Sequence, residues 1–476
     1  MRDTLSVPRV LAVLMLGAVT LGACATPRAA DTTLPTAFET RDPAPAGALA
    51  LDTWWTAYDD PELTALVEQA LARNPDVRTA RARLEEIRSQ GAATVLQYAP
   101  RGDAVLSGRR TDTEQLSGTQ FNIPGFSTSG VAEQASGAFN VSWELDSLAR
   151  GAIALGAARA EIDRVRFAYE ATRAQIAAAT ADASFQARGL SIQLADARET
   201  ARIQGELLAL AERRVAEGLA AASDTDRVAG DLAQSRAQVE GLEAQLQAQL
   251  RAVLILTGRA VEPTANLNAA PQVGAAPPAP ASLPSDLLQR RPDVRQAEAG
   301  IRSAVGQQRL AALEFFPSLV LSPGFGWSRT EQPGFTSETQ NWSIGGSISQ
   351  PILSIPRLLA QLKVQNARTE QAVTAYERTI LTAFQEAEGA LVGLEADRRR
   401  VALLTDGEAR AQRAYEAAKT RYARGLTDLS TTLSAEQAWR AVRAQLTAAQ
   451  VQALRRSVQA MKALGGGWPA QAYAAR

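Results

Sequence analysis

An internal duplication restricts the fold of this chain more than any other feature of its sequence. Residues 74–87 read NPDVRTARARLEEI, and residues 291–304 read RPDVRQAEAGIRSA. A second phrase, RVAEGL at 214–219, returns as RYARGL at 421–426, in the same order along the chain. Two ordered matches at nearly the same spacing indicate a repeated architecture, in which each half supplies one copy of the same supersecondary unit.

Each half shows the same order of predicted elements. A helical stretch comes first, over roughly 61–98 in one half and 284–314 in the other, and a proline ends it. Alternating strand segments follow, and after them a long helical run, 149–217 or 356–424. At 1.5 Å per residue such a run extends about 100 Å, which is far longer than an ordinary globular helix.

The predicted strands alternate between apolar and small polar residues. The alternation is clearest at 137–146, 318–329 and 341–350, and least regular in the first strand, about 101–111. The aromatic residues of the apolar face are Phe139, Trp143, Phe325, Trp327 and Trp342. Strands of about ten residues with one apolar face fit a transmembrane β-barrel with these aromatics facing the membrane. A half-buried sheet in a soluble domain is the alternative.

Each long helical run ends at a glycine, Gly218 or Gly425, where the chain can reverse. The returning helices follow a heptad pattern of apolar residues or alanine over 228–256, where Ser235 is the exception, and over 435–453. This period indicates helices packed side by side in a left-handed supercoil. We therefore predict two coiled helical hairpins. A soluble coiled-coil scaffold would account for the hairpins but would leave the strands unexplained.

The N-terminus resembles a bacterial lipoprotein signal. A basic start precedes an apolar run, 11–21, that is too short for a mature membrane span. The run leads into Leu-Gly-Ala-Cys, which resembles a lipobox, so Cys24 is the predicted acylated residue and 1–23 the signal peptide. Cys24 is the only cysteine, so it cannot form an internal disulfide. An ordinary secretory signal with an incidental cysteine is the alternative.

Composition argues against two classes of function. Lys and Arg number 50, as do Asp and Glu, so the formal net charge is zero and nucleic acid is not the expected partner. The chain has no histidine, which removes the commonest general base and the commonest metal ligand. We predict that the chain is not an enzyme and holds no metal or cofactor.

The strands also predict an oligomer. Four strands cannot close into a barrel, and open strand edges in lipid would leave backbone groups unpaired. Three copies that pool twelve strands would solve this problem. The predicted segments are a signal peptide at 1–23, a lipidated tether at 24–60, a first repeat at 61–260, a linker at 261–283, a second repeat at 284–464 and a tail at 465–476.

Several short motifs carry a family resemblance. They are NPDV and RPDV, SQPIL at 349–353, LTGR at 256–259, the turns GLAAASD and GLTDLS, and ALGGGW at 463–468. With them the chain resembles the TolC-like outer-membrane factors of the lipid-anchored OprM/NodT branch. The resemblance implies an α+β membrane protein, a trimeric channel-tunnel. Each protomer would give four strands to a 12-stranded transmembrane β-barrel and long coiled hairpins to a periplasmic α-barrel.

The resemblance also implies a function and partners. A homotrimer in the outer membrane, lipid-anchored and extending into the periplasm, would be the exit duct of a tripartite efflux system. It would dock on a periplasmic adaptor and an inner-membrane pump of the resistance–nodulation–division class, and export drugs or other small toxic molecules from a Gram-negative cell. Two alternatives stay open: the duct of a type I protein secretion system, and a structural lipoprotein without a pore.

In this family the tube closes at the periplasmic helix turns. Tyr422 and Asp224 match positions at which family members link the inner and outer hairpins. Two positions that often carry an acidic ring hold threonine and serine here, so Asp428 or Asp226 is the expected replacement. The alternative is that these four are only solvated turn residues.

Overall fold

The computed structural model describes residues 29–39, 51–114, 116–117, 130–145, 147–218, 221–267, 269–280, 282–332 and 334–469. The predicted signal peptide and Cys24 lie outside the described residues. Among the helices in these ranges, none combines the length and the apolar character that crossing a membrane requires.

The main elements form two runs of six in the same order. The first run is α1 Pro61–Arg73, α2 Pro75–Leu96, β1 Arg101–Thr113, β2 Gly130–Glu144, α3 Ser147–Ala216 and α4 Ala222–Leu256. The second run is α5 Leu287–Arg290, α6 Pro292–Leu313, β3 Ser318–Gln332, β4 Phe335–Ser349, α7 Ile355–Ala423 and α8 Leu429–Ala463. Short 3-10 segments lie at Leu51–Tyr58, Thr264–Asn266 and Pro284–Asp286.

The first helical stretch of each half is broken, which differs from the prediction of one stretch over 61–98 and one over 284–314. The breaks fall at Asn74, with ψ 132°, and at Arg291, with ψ 121°. Each of these residues precedes a proline, whose ring excludes the helical conformation from the residue before it. The repeated phrase therefore begins at a break between two helices.

The same two residues show why the phrase occurs twice. The side-chain amide of Asn74 donates to the carbonyl of Leu256 at 3.0 Å, at the end of α4. The guanidinium of Arg291 donates to the carbonyl of Ala463 at 3.2 Å, at the end of α8. The last carbonyls of a helix have no partner within the helix. In each half the phrase thus supplies a donor to the end of the returning helix.

Two compact units make up the chain, and each is built from both repeats. One unit contains Glu85–Asp163 and Ala299–Ala375. It holds a four-stranded sheet in the order β1-β2-β3-β4, with every neighbouring pair antiparallel. The sheet is therefore a meander of two hairpins, one from each repeat.

The other unit contains the main hydrophobic core. It comprises Asp31–Leu84, Arg164–Glu298 and the chain from Tyr376 onward. Large buried side chains of this core are Trp54, Leu63, Val67, Phe185, Leu454, Met461 and Leu464. Because they come from the 3-10 segment, α1, α3 and the end of α8, the two repeats share one core.

Candidate functional site

The strand register brings the predicted aromatic residues to one side of the sheet. Phe139, Phe325 and Trp342 are successive cross-strand partners. Trp143 and Trp327 lie on the same side, because side chains alternate along a strand with a period of two. Trp342 is 80% exposed in the protomer. An apolar face this open marks a surface that meets another apolar phase or partner.

The opposite side of the sheet is polar, and small residues dominate the middle of β2, β3 and β4 on this side. The hydroxyls of Ser107 and Ser136 lie 2.7 Å apart, and those of Ser328 and Thr339 lie 2.8 Å apart. A methyl group at Gly326 would collide with the amide of Asn341, so this residue lies flat against the glycine. These rows therefore present hydroxyl and amide dipoles, and their side chains project only a short way from the sheet.

Two strand edges have no partner among the described residues. β1 pairs only with β2, and β4 pairs only with β3. Exposed edges of this length recruit further strands, and in a membrane each unpaired backbone group costs several kcal/mol. The sheet of one protomer is therefore incomplete as a membrane structure.

The turns of the two long hairpins both use a left-handed glycine. Gly218 has φ +73° and Gly425 has φ +70°. In the second turn the N–H of Gly425 donates to the Tyr422 carbonyl at 2.9 Å, and the N–H of Leu426 donates to the Arg421 carbonyl at 2.9 Å. This pair of bonds is a Schellman motif, which ends a helix and reverses the chain.

Tyr422 links the two hairpins through Arg214, which was not among the predicted site residues. Its hydroxyl accepts a hydrogen bond from Nη1 of Arg214 at 3.1 Å, and the guanidinium carbon lies 5.5 Å from the ring centroid. The described contacts of Tyr422 are thus with the end of α3, and not with Asp224 on the first turn of α4. Arg214 is the first residue of the repeated phrase RVAEGL. That position is the only feature of the sequence that could have marked it as a site residue.

Asp428 has a structural role at the second turn. It is the N-cap of α8, and its carboxylate accepts a hydrogen bond from the N–H of Thr431 at 2.7 Å. This bond, with help from the Thr431 hydroxyl and the charge of Arg227, holds the pKa of Asp428 below its usual value. Asp428 is exposed and ionised, and Asp226, the fifth residue of α4, is likewise exposed.

Ion pairs join α3 to α8 at two further levels. Asp196 accepts from Nε of Arg443 at 2.8 Å, and Asp182 accepts from Nε of Arg455 at 2.6 Å. With the Arg214–Tyr422 contact they connect the hairpins at three levels along α3. A heptad pattern predicts that helices pack together, but it does not identify which charges meet.

A buried carboxyl lies between these levels. Glu436 on α8 is only 3% exposed, and its Oε1 has no hydrogen-bond partner in the described part of the chain. Nε of Arg440 lies 3.7 Å from that oxygen, beyond hydrogen-bonding distance. Burial raises the pKa of Glu436 above its ordinary value of 4.5, because water no longer stabilises the charged form.

Known proteins share both the sequence pattern and the fold. The sequence model of the family described as outer membrane efflux protein matches residues 66–259 and 283–466. The pyoverdine export outer membrane protein OpmQ of Pseudomonas aeruginosa is 28% identical over 460 residues, covering 94% of this chain and 95% of its own. The outer membrane protein OprJ of the same species is 28% identical over 435 residues, covering 88% and 87%.

Solved structures show the same architecture. The outer-membrane channel OprN has a TM-score of 0.80 and 26% identity to this chain, covering 94% of it and 100% of its own length. CusC has a TM-score of 0.80 at 24% identity and shares the fold. These neighbours are trimeric outer-membrane channel-tunnels, and members of the family are ducts rather than enzymes. The chain belongs to the outer membrane efflux protein family and is the outer-membrane exit duct of a tripartite efflux system.

Proposed function

We propose that this duct carries small toxic organic molecules, drugs among them, out of the cell. The two-sided sheet supports the proposal: a smooth polar wall lets varied cargo pass without a binding site, while the apolar side faces lipid. Relatives bear the names antibiotic efflux pump, toluene efflux pump and solvent efflux pump outer membrane protein. Conduction of this kind needs no catalytic group, so the chain acts without an enzymatic step.

The anchor and the partners complete the proposal. Cys24 carries the lipid that attaches the mature chain to the outer membrane, as its lipobox predicts. Family members work with a periplasmic adaptor and an inner-membrane pump, and the pump here is of the resistance–nodulation–division class. The aromatic residues of the apolar face, such as Phe139 and Trp342, contact the membrane.

We place the closed end of the tube at the helix turns. The contact between Arg214 and Tyr422 holds the two hairpins of a protomer together, and three-fold symmetry repeats it. Asp428 and Asp226 put exposed carboxylates at the same turns. Carboxylates repeated around a narrow opening attract cations.

The two faces of the sheet allow a matched test of the proposal. Phe139 and Phe325 are cross-strand partners on the apolar face, and Ser136 and Ser328 are cross-strand partners on the polar face. An arginine near the bilayer midplane costs about 2–4 kcal/mol on the lipid side of a barrel. Phe139→Arg with Phe325→Arg should therefore abolish trimers and drug resistance in a strain that depends on this duct. Ser136→Arg with Ser328→Arg should retain both.

Two results would contradict the proposal. Equal loss of trimers in both pairs of variants would show that the apolar face does not meet lipid. Secretion of a polypeptide without any gain in drug resistance would favour the type I secretion duct. Resistance is read as the minimum inhibitory concentration of several unrelated drugs, with trimer content measured on the same cells.

A further inference from the structure

One arginine is isolated on the polar face of the sheet. By the register of the strands, this face carries the odd-numbered residues of β1 and β4 and the even-numbered residues of β2 and β3. In the strands as the structure describes them, the charged residues of this face are Arg101, Asp103, Arg109 and Glu144. Arg109 alone lies near the strand ends that are farthest from the helices. The outer part of the polar face, as far as it is described, therefore carries a single charge, and that charge is positive.

No carboxylate close to Arg109 neutralises it on this face. The other members of its cross-strand row are Gln134, Thr330 and Ser337. Arg109 forms no hydrogen bond and no ion pair with any residue that the structure describes. Asp103 lies six residues away along β1, and Glu114, the only charged residue in the sequence between β1 and β2, lies five residues away. Along an extended chain these separations are about 20 and 17 Å, at least twice the Debye length of about 8 Å at physiological ionic strength.

The charges on the opposite side of the sheet are bonded to neighbours on that side. They are Arg110, Glu133, Arg329, Glu331 and Glu338. Arg110 pairs with Glu133 at 3.0 Å, Nε of Arg329 donates to Glu331 at 2.7 Å, and Glu338 accepts from a tryptophan indole N–H at 2.8 Å. Their side chains leave the sheet in the direction opposite to that of Arg109, because successive residues of a strand point to opposite faces. They therefore do not pair with Arg109.

The neighbouring protomer offers no counter-charge either. β1 and β4 are the two edges of the described sheet, so closing the barrel places β4 of one copy beside β1 of the next. The polar face of β4 consists of Phe335, Ser337, Thr339, Asn341, Ser343, Gly345, Ser347 and Ser349. None of these residues is charged, so Arg109 stays unpaired by β4 in every register that the two strands could adopt. The trimer repeats this arginine three times around the barrel.

We propose that the three Arg109 side chains form a basic ring that favours small organic anions at the outer end of the lumen. Rings of arginine or lysine are the device by which pores favour anions. A guanidinium keeps its charge at every physiological pH and offers five N–H donors to carboxylate, sulfonate or phosphate groups. The ring raises the local concentration of anionic cargo and repels cations without forming a closed binding site. The inference rests on the polar face lining the lumen, as proposed above, and it specifies the charge class of the cargo that passes most readily.

Single cysteines on the polar face can measure this preference. Gln134→Cys lies beside Arg109 in the same row, and Asn140→Cys lies beside Asp103. Purified trimers react with a negatively charged and a positively charged methanethiosulfonate of similar size, and the ratio of the two rate constants is determined. Both reagents are small organic ions, so the ratio reports the access of the proposed class of cargo. The unchanged protein, whose only cysteine is Cys24, is the blank.

Arg109→Gln should lower the ratio of anion rate to cation rate at Gln134→Cys by about fivefold in about 10 mM salt, where the Debye length is about 30 Å. Arg110→Gln is the matched control, because its charge lies on the other side of the sheet, and it should change the ratio by less than about twofold. The ratio at Asn140→Cys should not respond to Arg109→Gln. Arg109→Lys should retain the ratio, because it retains the charge.

An unchanged ratio in Arg109→Gln, or an equal fall in Arg110→Gln, would overturn the ring. If Arg109→Gln does not form trimers, the salt dependence of the protein with Arg109 intact decides. In about 1 M salt, where the Debye length is about 3 Å, its ratio at Gln134→Cys should fall, and an unchanged ratio would overturn the proposal. Cysteines that react with neither reagent at both positions would overturn the assignment of the polar face to the lumen, and the ring with it. Failure of the ring alone is therefore distinguishable from failure of the duct.

Discussion

Gly465, just after α8, lies against the backbone at the start of the second repeat. It has φ +82°, and a methyl group placed on it would lie 2.5 Å from the carbonyl oxygen of Arg290. Gly258 has the equivalent place in the first repeat. Its φ is +72°, and a methyl group placed on it would lie 3.0 Å from the carbonyl oxygen of Arg73. Each glycine follows a returning helix, and each arginine directly precedes the repeated phrase. The motifs LTGR and ALGGGW are therefore explained by backbone contact.

Gly465→Ala should lower the apparent Tm of the trimer more than Gly425→Ala. Both positions have a left-handed φ, which costs about 1–2 kcal/mol for an L-residue. Only Gly465 is also crowded by backbone, and forcing an extra methyl into a packed site adds about 1–3 kcal/mol. Gly425 has nothing within 4 Å and so isolates the conformational cost. Equal Tm values for the two variants would show that the contact with Arg290 relaxes without cost.

Glu436 predicts a pH dependence of stability. Its pKa is raised by burial and by Asp231 on α4, while Arg440 on its own helix and Lys419 on α7 oppose the rise. The folded protein therefore holds this proton more tightly than the unfolded chain does. The stability that this difference contributes is complete below pH 4.5 and is lost as the pH rises through the folded pKa.

Glu436→Gln should therefore raise the apparent Tm at pH 7 and leave it nearly unchanged at pH 4.5. The amide cannot ionise, so the cost of burying a charge disappears. Glu370→Gln on α7 is the control, because that side chain is exposed. A Tm at pH 7 that falls in Glu436→Gln would mean that the pairing with Arg440 outweighs the burial of the charge.

Single residues were predictable from the sequence where local rules act, and not where distant segments meet. Gly218 and Gly425 could be placed in turns because a left-handed C-cap selects glycine. The partner of Tyr422 could not be predicted from the sequence. Arg214 and Asp224 lie on opposite sides of one turn, and only the packing of the hairpins determines which of them Tyr422 contacts. The acylation of Cys24 is inferred from the lipobox sequence alone, and Cys24 lies outside the described residues, so it stays a prediction.

At the scale of elements, periodicity predicts a segment well when one face of that segment is distinctive. The period of two placed β2, β3 and β4, and the long proline-free runs correspond to α3 and α7 within a few residues. The breaks at Asn74 and Arg291 were missed, although a following proline marks them, because the helical pattern continues on both sides. The ion pairs between the hairpins required the folded structure.

The hairpins should separate more easily when the contact at their turns is removed. Tyr422→Phe removes a hydrogen bond to a charged group, worth about 1.5–3 kcal/mol, and keeps the ring. Arg214→Gln also removes the cation–π contact, worth about 0.5–2 kcal/mol. Single-channel conductance in planar bilayers should therefore rise in Tyr422→Phe and rise further in Arg214→Gln. Arg213→Gln, at an exposed neighbour, should leave the conductance unchanged.

If all three variants conduct alike, the closure depends on contacts elsewhere.

Asp428→Ala addresses a separate property, the ion preference of the closed end, because the Asp428 carboxylate is exposed at the turn and also caps α8. This variant should lower the preference for cations in reversal-potential measurements. Asp428→Asn is the matched variant, since asparagine retains the cap but not the charge. Unchanged cation preference in both would remove the support for an acidic ring.

At the scale of the whole molecule, the four-stranded sheet explains why one protomer must associate with further copies, which in this family are three in number. β1 and β4 run antiparallel to each other, so β4 of one protomer can pair with β1 of the next and close the barrel without a parallel step. The strand count and the cost of an open edge in lipid predicted an oligomer, and the family resemblance supplied the number three. The sequence did not predict the register across the protomer boundary, which no single chain contains.

Cysteine cross-linking should therefore join protomers through β1 and β4. Ser107→Cys is combined in turn with cysteine at Ser337, Thr339, Asn341 or Ser343, all on the polar face of β4. One combination, or two adjacent ones, should give covalent dimers and trimers on a denaturing gel after oxidation, because disulfides form only when the Cα atoms lie within about 7 Å. The control is Ser107→Cys with Ser136→Cys, whose Cα atoms are partners inside one protomer and which should cross-link without a change in mass. If native trimers form and the control cross-links but no β1–β4 combination does, the barrel is closed through other edges.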